Sequence, residues 1–152
     1  VCSVSADPPT ILVCVDLASR TLAVLRERRG FVVNFIAEGR SELCLLFASK
    51  EDDKFCRVSW TETPSGLPLF SDDALAWAEC STVDEVEAGD HVVLVARVDD
   101  GGVRPRLESP LMYYRRSWGV WSPVHERGGP DAVEIPAIDV GARDLRWQAA
   151  DD

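Results

Sequence analysis

Histidine is almost missing from this sequence: its 152 residues include only His91 and His125. Two imidazoles cannot build a His-rich metal centre. Paired cysteines are missing too. Cys2, Cys14, Cys44, Cys56 and Cys80 are odd in number, no two stand closer than twelve residues, and no C-x-x-C occurs. A zinc site or a disulfide framework therefore finds no support. Reduced cysteines act as small hydrophobes in apolar runs, which is the expectation for Cys14 and Cys80. Their number fits a reducing cytoplasm. No apolar stretch nears the roughly 20 residues that cross a bilayer as a helix. The longest, Ile11 to Val15, is strand-sized, so no membrane partner is expected. Positive charge is scarce, with 16 Lys and Arg against 26 Asp and Glu and a net charge of −10. Such a surface repels a phosphate backbone, which argues against nucleic acid as a partner.

Signature loops are missing as well. No G-x-G-x-x-G follows a strand and no G-x-x-x-x-G-K-[ST] occurs, so neither a dinucleotide fingerprint nor a P-loop is encoded. There is no G-x-S-x-G for an elbow serine. Acid–base hydrolysis stays formally open, because 26 carboxylates always permit some pair, but nothing selects one.

What remains is a β-rich pattern. Hydrophobic residues make up 46% and charged residues 28%, an ordinary balance for one folded domain. Val1 to Ser5 reads as a strand, and the chain begins inside it. That start predicts that an N-terminal segment of the domain precedes the sequence, and no signal peptide is read there. Asp7-Pro8-Pro9 turns the chain, and Ile11 to Asp16 follows as a buried strand. Ser19 can cap a helix with Leu22 and Leu25 on one face and Gly30 as its stop. Arg26, Arg28 and Arg29 would then complement the helix dipole.

Phe31 to Ala37 reads as a second buried strand, and Ser41 to about Ser49 as a helix presenting Leu43, Leu46 and Phe47. Thr63 to Pro68 is a loop by composition. Leu75 to Glu87 and His91 to Val98 are long strands joined by Ala88-Gly89-Asp90, short enough for a hairpin. Asp99 to Gly102 is expected to turn, and Leu111 to Tyr114 to form a last short strand. Residues 121–152 hold three prolines, three glycines and no period. The division expected is a domain over residues 1–119 and a C-terminal extension over 120–152. The class is mainly β and antiparallel, with short peripheral helices.

Taken in order, these segments carry a resemblance. Val4-Ser5-Ala6-Asp7-Pro8-Pro9 leads through Ile11 to Asp16 into Leu17-Ala18-Ser19-Arg20-Thr21. Phe31-Val32-Val33-Asn34 is followed by Asp53-Lys54-Phe55. Gly89-Asp90-His91 heads a strand, with Leu111-Met112-Tyr113-Tyr114 beyond it. In this spacing they resemble the flavin reductase-like family of FMN-binding split barrels, the small reductase components of two-component monooxygenases. The likeness covers about residues 1–119. Family members carry a further Thr-x-Asn-Ser stretch before the point where this chain begins.

The resemblance implies a split β-barrel, FMN or FAD as cofactor, and NADH or NADPH as co-substrate. It implies a homodimer with flavin at the interface and a flavin-dependent monooxygenase as possible partner. The cofactor contacts it implies are Ser3, Val4, Ser5, Asp16, Ser19, Arg20, Thr21, Asn34, Lys54 and Phe55. Gly89, Asp90, His91, Tyr114 and Trp118 would line the nicotinamide site, with His91 the residue implied in the chemistry.

Elementary chemistry supports parts of this and leaves alternatives open. Ser19 and Thr21 fall at a helix N-terminus, where free N–H groups and the dipole favour an anion such as a flavin phosphate. Ser19 can equally be a plain cap, and the two roles are compatible. Ser3 to Ser5 can run along a flavin ring or form a solvated edge. Lys54 can offset phosphate charge or simply be solvated. Asn34 inside an apolar strand must find a partner, in a flavin or in a neighbouring loop. His91 after a tight turn can be structural, and Tyr114 and Trp118 can be core aromatics. The implied reaction is hydride transfer from nicotinamide C4 to flavin N5, which asks the protein mainly to position two rings. The other readings are a flavin-family scaffold that binds a ligand without reducing flavin, and a non-catalytic monooxygenase subunit.

Overall fold

The computed structural model of the chain describes residues 1–104 and 109–120. Within them the class is as expected: antiparallel strands dominate, with two short helices at the periphery. The expected extension over 120–152 lies, apart from Val120, outside the described residues.

Strand β1 (Cys2–Ala6) and strand β2 (Pro9–Asp16) form a hairpin around Asp7-Pro8, a cis peptide bond. The pairing sets Cys2 opposite Leu12 and Ser5 opposite Thr10, with a register shift between Ser3 and Ser5. Val4 is the extra residue of that bulge, on an edge strand, and more than half exposed.

Helix α1 (Arg20–Arg28) follows with Ser19 as its N-cap, the side chain accepting from Thr21 N–H. Leu22 is buried and Leu25 packs beside it, as the spacing predicts. The stop is different from the expected one. Arg29, not Gly30, takes the left-handed conformation at φ 54°, and its N–H bonds to the Leu25 carbonyl at 2.8 Å. That leaves Gly30 to open strand β3 (Gly30–Ile36).

Helix α2 (Ser41–Ala48) and a 3₁₀ turn (Lys54–Arg57) come next, then a two-stranded ladder of β4 (Thr61–Glu62) and β5 (Pro68–Leu69). The expected Thr63–Pro68 loop forms the turn between them, with only its last residue, Pro68, taken into strand.

Strands β6 (Ala74–Ala88) and β7 (His91–Val103) are the longest elements, joined by Gly89-Asp90 with Gly89 at φ +64°. A glycine first in a two-residue turn matches the twist of the flanking strands. The turn expected at Asp99 to Gly102 does not form, because β7 runs through it. Glu79 pairs with Asp100 and Cys80 with Val98, so Asp99 is the extra residue of a bulge. Gly101 is needed for close approach: a Cβ there would stand 2.9 Å from the Trp77 carbonyl oxygen. Acidic and glycine residues that read as a turn thus serve a bent strand.

The main sheet has the order β1-β2-β7-β6-β3. One face carries Val15, Val92 and Leu94, which pack against Leu22 and Leu25 of α1. Register places Leu12, Cys14, Val86, Val93 and Val95 on the opposite face, which no helix of the described chain covers by a cluster of this kind. Cys14 is consequently exposed, contrary to its expected place in the core. Strands β8 (Leu111–Tyr114) and β9 (Ser117–Val120) form a separate hairpin, the second strand unforeseen in the sequence.

All five cysteines are free, and Cys80 is the buried one. Burial, then the charges of Asp99 and Glu79, push its thiol up to about 11. At pH 8 only about one Cys80 in a thousand would then be the reactive thiolate, against roughly a quarter for an ordinary cysteine. Alkylation with an iodoacetamide probe should label exposed Cys2 and Cys56 well before Cys80, which reacts only after unfolding. Mass mapping that finds Cys80 labelled as fast as Cys56 in the native protein would contradict this.

Candidate functional site

The end of β2 turns into α1 through one aspartate. The Asp16 carboxylate accepts from Ala18 N–H at 2.6 Å, and its backbone carbonyl accepts from Ser19 N–H at 2.9 Å. Ser19 Oγ then accepts from Thr21 N–H at 3.2 Å. Asp16 and Ser19 favour such local turns because a short side-chain acceptor can reach the next amides. The result is a helix opening whose hydroxyls and dipole face an open cavity of about 540 Å³.

Across that cavity lies the end of α2. Lys54 Nζ donates to the Phe47 and Ser49 carbonyls at 2.8 and 2.5 Å, closing the helix's C-terminal carbonyls. Its charge is thus fixed at the cavity wall, not merely solvated. Ser19, Arg20 and Thr21 line one side, and Phe47, Ser49, Lys50 and Lys54 the other. Arg20 is committed elsewhere: it ion-pairs with Asp52 and reaches the Glu51 carbonyl at 3.3 Å. The Arg20 hydrogen bond and charge hold the Asp52 carboxyl below its usual range. This pair ties α1 to the segment before Lys54.

A second cavity of about 520 Å³ lies by Arg40, Glu42, Arg57, Asp72 and Asp73. Its cations already have partners, Arg40 with Asp73 and Arg57 with Glu51. It offers no comparable surplus of positive potential.

His91 stands beside the first cavity's turn. Register sets it directly opposite Asp16, and Leu17 N–H bonds to the Asp90 carbonyl at 3.0 Å. His91 Nδ1 meets Asp90 Oδ1 at 2.7 Å. That hydrogen bond is the largest cause raising the imidazole above its ordinary range. Desolvation opposes it, and the charges of Asp90 and Asp16 add to it. The same contact lowers the Asp90 carboxyl.

The structure therefore gathers Asp16, Ser19, Arg20, Thr21 and Lys54, with Gly89, Asp90 and His91 adjoining. The other expected residues fare differently. Half-buried Asn34 accepts at Oδ1 from Phe70 N–H at 3.0 Å, so a neighbouring loop supplies its partner. Phe55 is 41% exposed and joins an aromatic group with Phe47, Phe70 and Trp60, its ring 5.1 Å from that of Phe47. Ser3 and Ser5 pair with the end of β2 away from Asp16, with Val4 bulged between them. Tyr114 and Trp118 are not brought to His91. Tyr114 lies by the Arg115 guanidinium, and Trp118 against Tyr113 at 4.7 Å. Phe47, Ser49 and Asp52 were not foreseen. Their only signal was the charged break after α2, which turns that helix's end back to Ser19.

No helix among the described residues is long and apolar enough to cross a membrane, and they hold no cluster fit for a metal ion.

The flavin reductase like domain family matches residues 1–122. A flavin reductase (NADH) of Kitasatospora aureofaciens is 44% identical over 137 residues, 90% of this chain and 71% of that protein. The reductase subunit HsaB of a flavin-dependent monooxygenase from Rhodococcus jostii (strain RHA1) is 36% identical over 95% of this chain and 73% of its own length. Among solved structures, the NADH:FAD oxidoreductase SgcE6 of Streptomyces globisporus C-1027, in complex with NAD and FAD fragments, superposes with a TM-score of 0.76. It is 26% identical over 82% of this chain and 75% of that one. The family match spans most of the chain and the Kitasatospora and Rhodococcus relatives cover it at 36–44% identity, and the chain belongs to the flavin reductase like domain family.

Proposed function

We propose that the chain is an NAD(P)H:flavin oxidoreductase that reduces FMN or FAD and supplies reduced flavin to a partner monooxygenase. The observation that carries this is the cavity between the Ser19–Thr21 helix opening and Lys54, on a turn that starts at Asp16, the register partner of His91, in a chain of this family. The donor set fits a flavin phosphate. Two hydroxyls, a helix dipole and a fixed ammonium converge there, while no carboxylate lines the cavity. When bound, the flavin supplies the hydride acceptor and the nicotinamide the donor. The residues of this chain do the positioning. Ser19, Thr21 and Lys54 hold the anion, and Asp16 orders the turn they stand on. Gly89-Asp90-His91 presents an imidazole whose Nδ1 is fixed by Asp90, leaving Nε2 for the nicotinamide coenzyme.

The reading includes a homodimer in a reducing cytoplasm. Leu12, Val86, Val93 and Val95 share an apolar sheet face with His91, and Val86 is 54% exposed. Covering that face with a second copy would bury it and bring a second chain beside the site. In this reading Phe55 backs the cavity through Phe47, and Ser3 to Ser5, Asn34, Tyr114 and Trp118 act where a partner subunit completes the site.

The decisive experiment is anaerobic titration of FMN-loaded protein with NADH and then NADPH, followed at the flavin absorbance band, on a sample of measured mass. Stoichiometric bleaching by one nicotinamide, in a particle of twice the chain mass, is expected. Flavin that stays oxidised with both would favour the binding scaffold, and a flavin-loaded monomer would remove the dimer.

A further inference from the structure

We propose that Asp16 is a positioning residue that joins the two halves of the site, bracing the Ser19 turn through Ala18 N–H while its charge faces His91 across the β2–β7 ladder. The proposal rests on the functional reading above and adds a residue acting through others, since the Asp16 carboxylate is engaged by this chain's own groups.

Three contacts meet at this point. Asp16 Oδ1 accepts from Ala18 N–H at 2.6 Å, so the carboxylate fixes the first step of the turn that leads to Ser19. Asp16 is the register partner of His91, and directly opposed residues of an antiparallel pair project from the same face about 5 Å apart. Leu17 N–H bonds to the Asp90 carbonyl at 3.0 Å, locking the β2 end to the β6–β7 turn. Asp16 is the residue that touches both the turn to Ser19 and the ladder position of His91.

The groups facing His91 are few. Asp90 is on its own turn, Asp16 is opposite on β2, and Cys14 lies one pair further along the same face. On β6 the opposite residue is the uncharged Ala88. Glu87 belongs to the other face, 3.7 Å from Arg26. Among the described residues, two carboxylates and no cation therefore face the imidazole from its neighbouring strands and its own turn. They favour its protonated form, which raises its titration midpoint.

Asparagine separates the two roles, because its side-chain oxygen still accepts from Ala18 N–H while its charge is gone. Histidine-ring NMR on the full chain, with and without FMN, reads the midpoint directly, and His91→Asn identifies the His91 signals against those of His125. In Asp16→Asn the His91 midpoint should move to lower pH while FMN affinity stays within about twofold of wild type. In Asp16→Ala the same movement should come with an FMN affinity about threefold or more weaker, the loss of one hydrogen bond to the turn. An unmoved His91 midpoint in Asp16→Asn overturns the pairing. Equal FMN losses in the two variants overturn the brace. A wild type that binds no FMN instead overturns the functional reading and the brace with it, and the midpoint alone then decides the Asp16–His91 link.

Discussion

Replacing Ser19 and Thr21 together by alanine should weaken FMN binding at least tenfold while hardly changing the affinity for riboflavin. The two ligands differ only in the phosphate, so their ratio isolates the anion site from everything else the substitution does. A hydrogen bond to a charged group is worth ~1.5–3 kcal/mol, and the double variant removes two hydroxyl donors. Part of the effect is structural. Ser19 Oγ accepts from Thr21 N–H as the cap of α1, and losing a cap costs about 1 kcal/mol of stability. That cost acts on the protein before either ligand arrives, so a looser turn would weaken both. The ammonium of Lys54 remains in the variant, held by the Phe47 and Ser49 carbonyls, which keeps the loss finite. Fluorescence titration with both flavins gives the two constants. Equal weakening for FMN and riboflavin would assign Ser19 to capping alone.

That site was legible in part because its residues are consecutive. A serine before a helical pattern predicts a cap from local chemistry, and Ser19 is one. Lys54 was legible only as a resemblance, since nothing in Asp53-Lys54-Phe55 says which helix end its ammonium closes. The bulge at Asp99 misled for a physical reason. Acidic and glycine residues serve a tight turn and a bent strand alike, and only the approach to the Trp77 carbonyl decides between them. Gly30 misled similarly, because an arginine accepted the left-handed conformation one residue earlier. Cys14 shows the limit of reading apolar runs. Ile11 to Asp16 looks buried on both faces, yet α1 covers only the side of Val15, and Cys14 points to the other. Whether that other face is closed by a second chain cannot be written into one strand's composition.

Replacing His91 by asparagine should slow reduction of bound flavin by NADH about five- to thirtyfold, with flavin affinity near normal. The size is that of one hydrogen bond and some ring contact to the nicotinamide coenzyme. Asparagine keeps a polar group at the head of β7 and leaves the Gly89-Asp90 turn intact. Dithionite needs no docking site, so its rate should be unchanged and serves as the control. The pH dependence separates docking from packing. Asp90, bonded to Nδ1, raises His91 above the ordinary histidine range, and the charges of Asp90 and Asp16 add to this. The imidazolium therefore persists to higher pH than in a free histidine, and it attracts the negative pyrophosphate of the coenzyme. As pH rises through the raised midpoint the charge is lost, and the NADH concentration giving half-maximal rate should climb. In His91→Asn there is no such charge to lose, so that concentration should be flat over the same window. Stopped-flow bleaching at several NADH concentrations between pH 6 and 9 supplies both comparisons. A variant with wild-type rate and wild-type pH dependence would show that His91 only finishes the hairpin, and the nicotinamide would have to be docked by other residues.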